Sequence, residues 1–202
     1  MQIETTLIGN LDFEDLPGSI KNMAKKPKLN QLVHDIMDDI NLLPDRGKAL
    51  WDEFEIDGIA SGNLTLKNGF DLHVDATGFA QLRTCILLVC MCTAGIGFDA
   101  KITAYQGESI TKSTVADSIG TWIVQSLRSR LIQKLTELYN ERGITLSSPI
   151  RPGDTGWPIT DQAIIFQLLD GNAIGVELTG SMMMIPLKST TFALFGWYIN
   201  NK

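Results

Sequence analysis

The sequence is short of the side chains that hold metals or act as nucleophiles. Only two of its 202 residues are histidine and three are cysteine. His34 and His73 stand far apart, and neither has a second histidine three or four positions away, the spacing that puts two ligands on one helix face. No resident metal is expected. His34 lies in a helical pattern beside its apolar stripe and reads as a hydrogen-bonded structural residue. Cys85, Cys90 and Cys92 are odd in number and share one apolar run, so they read as reduced, buried thiols. Strand alternation predicts Cys90 and Cys92 on one face and Cys85 on the other. Two thiolates without a third ligand make a poor zinc site. With no Gly-x-Ser-x-Gly elbow, a hydrolase triad has no starting point.

Positive charge is scarce as well. Lys and Arg number 17 against 23 Asp and Glu, net −6 at pH 7. Nucleic acid is excluded as a partner, because neutralising phosphates takes a clustered basic footprint and none is visible. Lys25, Lys26 and Lys28 flank Pro27 and read as a solvated turn. An anionic lipid surface is excluded on the same ground. The longest apolar run, Cys85 to Cys92, has eight residues, against the roughly 20 of a spanning helix. Met1-Gln2-Ile3-Glu4 is not a basic segment followed by an apolar stretch, so no secretory leader is expected and the expected compartment is the cytoplasm.

What is present suits a single domain over residues 1–202, with a hydrophobic fraction of 44% to fill its core. Lys28 to Leu43 carries Leu29, Leu32, Val33, Ile36, Met37, Ile40 and Leu43 on one helical stripe, with Pro27 before it and Pro44 after it. The period then changes to two. Phe54 and Ile56, Leu64 and Leu66, and Phe70, Leu72 and Val74 alternate, and Asn68-Gly69 marks a hairpin. Cys85 to Met91 reads as a central strand. Ile110 to Glu141 predicts a long helix with Val115, Ile119, Trp122, Ile123, Leu127, Leu131, Leu135 and Leu138 inward and Gly143 as its stop. Its Arg128, Arg130 and Lys134 read as a wet face. A Pro/Gly-rich loop from Ser147 to Pro158 follows, then Thr160 as the N-cap of a short helix through Leu169, stopped by Gly171. Ile174, Val176 and Leu178 read as a strand, and Phe192 to Tyr198 as a last one. Helices and strands mix without a βαβ rhythm, which predicts an α+β fold.

Gly95-Ile96-Gly97-Phe98-Asp99-Ala100 has the spacing of a dinucleotide fingerprint, with Asp117 at a suitable distance. That mechanism needs an acidic residue at the end of a second parallel strand, and Asp117 lies in a helical pattern. The glycines instead read as a sharp turn after the central strand. Arg151-Pro152-Gly153-Asp154-Thr155-Gly156-Trp157-Pro158 is a rigid, glycine-permissive loop whose backbone amides could hold a polar ligand group. Met182-Met183-Met184-Ile185-Pro186 offers soft apolar surface.

Several of these residues form a recognisable set. Pro152-Gly153, Trp157-Pro158, Gln162, Phe166, Leu169, Ile174-Gly175-Val176, Leu178, Met183-Met184, Pro186 and Lys188-Ser189 resemble the C-terminal signature of the cobalamin-dependent methionine synthase activation domain, in its free-standing short form. Cys92-Thr93-Ala94-Gly95 resembles that family's Cys-Thr-Ile-Gly segment, and Ala116-Asp117-Ser118-Ile119-Gly120 through Val124 the start of its long helix. The resemblance implies an α+β fold with a twisted, mainly antiparallel sheet and packed helices. It implies a partner, a corrinoid-binding protein or methyltransferase, through which the chain would meet cobalamin. The implied activity is repair: S-adenosylmethionine presents its methyl to an oxidised cobalt while a separate reductant supplies an electron.

The family's ligand loop is Arg-x-x-Pro-Gly-Tyr. Aligned on Pro152-Gly153, its Arg position is Pro149 and its Tyr position is Asp154, and a Glu of the long helix aligns with Gln125. The implied ligand-binding positions are therefore Gln125, Pro149, Arg151, Pro152, Gly153 and Asp154, with Arg151 able to substitute for the missing Arg. Three functions follow from this set. One is a docking or reactivation factor with a degraded S-adenosylmethionine site. Another is an S-adenosylmethionine-dependent methyl donor to a corrinoid, and the third is a binding module that lost the corrinoid role.

Overall fold

The computed structural model describes residues 1–5, 7, 9–60, 62–79 and 84–198. The chain is α+β, built on a mainly antiparallel sheet with helices packed against it. Its elements begin with β1 (Gln2–Glu4), α1 (Gly18–Met23), α2 (Pro27–Asn41), β2 (Lys48–Ala60), β3 (Asn63–Leu66) and β4 (Asp71–Leu72). After these come β5 (Thr84–Thr93), α3 (Ile96–Glu108), α4 (Ile110–Glu141) and β6 (Ile144–Leu146). The C-terminal part holds α5 (Gln162–Leu168), β7 (Glu177–Leu178), β8 (Met184–Ile185) and β9 (Ser189–Tyr198). Seven strands form one sheet in the order β4-β3-β2-β5-β9-β6, with β1 added to β2, and β7-β8 make a separate hairpin. Among the described residues no helix is long and apolar enough to cross a membrane.

Strand β5 is apolar without interruption because both its faces are covered. Ile86, Leu88, Cys90 and Cys92 pack with Ala49, Trp51, Phe192 and Leu194 under α1 to α4. Leu87, Val89 and Met91 pack on the opposite face with Leu50, Phe195, Trp157, Ile165 and Leu169. Burial raises the thiol pKa of Cys90 and pushes that of Cys92 up to about 12, so neither is an available thiolate. Cys85 departs from the expected alternation: it packs on the helix side with Cys90 and Cys92. The register shifts between Thr84 and Ile86, which pair with Trp197 and Gly196, so Cys85 is the extra residue of a bulge.

Helix α4 has the bounds its periodicity predicts. Its stripe ends differently, with Tyr139 buried and Leu138 exposed. Gly143, at φ 72°, turns the chain out of it. Helix α2 begins at Pro27 and stops at Asn41, two residues short of Leu43. Helix α3 is not signalled by an apolar stripe; only Phe98 and Tyr105 are buried. Gly95 at φ 97° starts it, and the Asp45 carboxylate accepts from the Gly97 amide at 3.1 Å, filling the place a phosphate would take in a dinucleotide site. His34 is structural, its Nδ1 2.9 Å from the Asn30 carbonyl and its ring stacked on Phe13.

Two expectations in the C-terminal third are corrected. Thr160 is not an N-cap: it lies within a 3-10 turn, Ile159–Asp161, that leads into α5. Ile174, Val176 and Leu178 are not one strand. Gly171–Ile174 is a 3-10 turn and Gly175 is left-handed at φ 76°, so only Glu177–Leu178 pairs. The apolar alternation there reflects Ile174 and Val176 both entering the core.

Candidate functional site

The loop after β6 is positioned by the sheet. Ser147 pairs with Phe195, and Ile150 bridges Ala193 on β9. Arg151 then leaves the sheet edge and closes a turn on Asp154, whose carboxylate accepts from the Arg151 backbone amide at 3.1 Å, from Nε at 3.3 Å and from Nη2 at 3.0 Å. Gly153, at φ 95°, allows its own amide to reach the Trp157 carbonyl at 2.8 Å. The far end of the loop is anchored by a buried carboxylate. Asp161 accepts from the Trp157 indole at 3.0 Å, and from the His73 backbone amide at 2.6 Å. Its second oxygen lies 2.8 Å from His73 Nδ1. His73 thus finds a partner 88 residues away, beyond the reach of any local spacing rule.

Against this loop, α4 and the segment Leu187–Thr190 enclose a cleft of about 370 Å³. From the helix it receives Thr121, Val124, Gln125 and Arg128, which share one face at spacings of three, four and seven. Arg151 and Lys188 complete its charged lining, and no carboxylate is among its described lining residues. A second cleft of about 300 Å³ adjoins it, with Arg151 and Thr190 common to both. Pro152, Gly153, Asp154 and Gln162 line the second cleft. Gln162 is buried, its Oε1 accepting from Thr191 at 2.9 Å while its Nε2 has no partner among the described residues.

The three cations of the first cleft differ in their surroundings. Lys188 pairs with Asp117 at 2.7 Å and donates to Thr121 Oγ1 at 3.0 Å. Arg151 is held by Asp154. That fork keeps the Asp154 carboxyl below the usual carboxylate range, with Arg128 adding a smaller pull in the same direction. Arg128 itself has no ion pair among the described residues, and its Nε is buried without a hydrogen-bond partner.

Of the six positions the resemblance implied, Gln125 and Arg151 meet in the first cleft and Arg151, Pro152, Gly153 and Asp154 in the second. Pro149 lines neither; it sits half-buried just before the Ile150 bridge. The wet-face reading holds for Arg130, which donates to the Leu7 carbonyl, and for Lys134, paired with Glu4. It fails for Arg128, which turns into the cleft. The signal was the polar stripe Asp117, Thr121, Gln125, Arg128 running beside the apolar one.

No protein-family model and no curated protein matches the sequence. Among solved structures the chain is similar to the MetH reactivation domain, in a crystal structure with AdoHcy bound. The TM-score is 0.66 at 15% identity, over 94% of this chain and 72% of that one. At that identity the likeness is one of fold.

Proposed function

We propose that the chain is a docking factor for a corrinoid-carrying protein, with reactivation of an oxidised corrinoid as its role. The observation that carries this reading is the extent of the fold match, which leaves only a small part of the chain outside the reactivation-domain architecture. The surface around the clefts supports it. Ile159 and Leu187, which line them, are exposed. Large apolar side chains grouped at a rim are a common mark of an interaction surface.

S-adenosylmethionine fits the lining poorly. Arg128 could take its carboxylate, but its ammonium and sulfonium find no unpaired acid among the described lining residues. Gln125 offers hydrogen bonds without charge, and Pro149 has no N–H to give. Asp154, the one acid at the loop, already serves Arg151. The proposed role is therefore docking, with S-adenosylmethionine binding weak.

The test is a binding titration with a corrinoid protein in its Co(II) and methylated states. A reactivation factor must prefer the inactive state, since only differential affinity can shift the corrinoid protein between states. A micromolar complex favouring Co(II), weakened by Leu187→Asp, is expected. Equal affinity for both states, or no complex at micromolar concentration, would sink the proposal.

A further inference from the structure

We infer that the α4 cleft selects a net-negative small molecule, one bearing carboxylate or phosphate groups, with Arg128 as the residue that grips it. The inference goes beyond the docking reading and does not depend on it. It starts from charge. A chain of net −6 gathers three cations in one cleft, with no acidic side chain among the described lining residues. Two of the three are answered from outside the lining, Lys188 by Asp117 and Arg151 by Asp154. Arg128 is left unanswered among the described residues, half-buried, with its Nε shielded. The acid whose charge Arg128 feels, Asp154, is already forked by Arg151, so an anion in the cleft would give this half-buried guanidinium a direct partner of its own.

Geometry points the same way. Gln125 and Arg128 present an amide and a guanidinium fork along one helix face, beside a Thr121 hydroxyl already engaged by the Asp117 carbonyl and Lys188. The fork suits a carboxylate or a phosphate equally, because both offer paired oxygens to two parallel N–H groups. The volume of about 370 Å³ is at the small end of the range for small-molecule sites. With Lys188 and Arg151 already paired, the charge left unpaired is that of Arg128, which favours a carboxylate or phosphate group over a sulfonium.

Calorimetry on the full chain tests this with two probes, citrate for the carboxylate class and inorganic pyrophosphate for the phosphate class. Binding of at least one is expected, falling as sodium chloride is added. Whichever probe binds identifies the class. Arg128→Gln should weaken binding about tenfold or more, as the loss of a charge-assisted hydrogen bond predicts. Lys134→Gln, on the same helix but paired with Glu4, should leave it unchanged. Thermal melting checks that both variants fold. The inference is overturned if neither probe binds at millimolar concentration, if Arg128→Gln binds as well as the parent, or if S-adenosylmethionine binds more tightly than either anion. A failed titration leaves the corrinoid complex to be judged by its own experiment.

Discussion

Tyr139 is 1% exposed in the helix-side core, yet its hydroxyl donates to the Glu53 carboxylate. Arg142 forks onto the same carboxylate at 2.7 and 3.3 Å and lies over the Tyr139 ring. The Arg142 hydrogen bond, opposed by burial and aided by Tyr139, holds the Glu53 carboxyl below its ordinary value. A carboxyl whose pKa is lowered by folding stabilises the fold above its unfolded value, and that contribution is lost as pH falls through the folded one. Tyr139→Phe removes one donor from a charged acceptor and should cost about 1–2 kcal/mol at neutral pH. The cost should shrink in acid, once Glu53 is protonated in parent and variant alike. Urea unfolding of both, at pH 7 and at successively lower pH, measures it. A difference that does not change with pH would mean that the hydroxyl acts through something other than the charge on Glu53, and no difference at all would mean that it contributes nothing.

At the scale of elements, the contact of α3 with α4 turns on Gly120. A Cβ there would stand 2.3 Å from the ring of Phe98, itself fully buried. Helix propensity alone favours alanine over glycine by about 1 kcal/mol. Overpacking at a fixed ring costs about 1–3 kcal/mol, so Gly120→Ala should destabilise despite its better propensity. Phe98→Leu should recover part of the loss, and a raised melting temperature for Gly120→Ala alone would refute the contact. This pair also shows what a sequence conceals. Helix α4 announces itself because its stripe is long and regular. Helix α3 buries only two side chains a full two turns apart, which no periodicity test detects. The bulge at Cys85 and the left-handed Gly175 each break a count of two that looks regular in the letters alone. The loop positions at Arg151 to Asp154 were legible because motif and glycines are local. Arg128 and the His73–Asp161 pair were not, because their meaning depends on what the fold brings opposite them.

At the scale of the whole molecule, β5 joins two cores, sending alternate side chains into each. Leu131, on α4, is fully buried on the helix side. Leu131→Asp would place an unpaired carboxylate there, and leaving a charge without a partner in apolar surroundings is among the few single changes that cost several kcal/mol. The loss should not stay on the helix side. Strand β5 cannot keep Leu87, Val89 and Met91 in the far core while Ile86, Leu88 and Cys90 are released from the near one, since one backbone carries both sets. Trp157, 2% exposed in the far core, is a reporter of that side. In Leu131→Asp its fluorescence transition, isolated by subtracting a Trp157→Phe variant, should move to lower denaturant together with the helical signal in circular dichroism, as one cooperative unit requires. A soluble variant that melts like the parent would mean the inward face of α4 is misassigned. A helical signal that shifts while the Trp157 transition stays in place would mean that the two cores unfold independently and that β5 does not couple them.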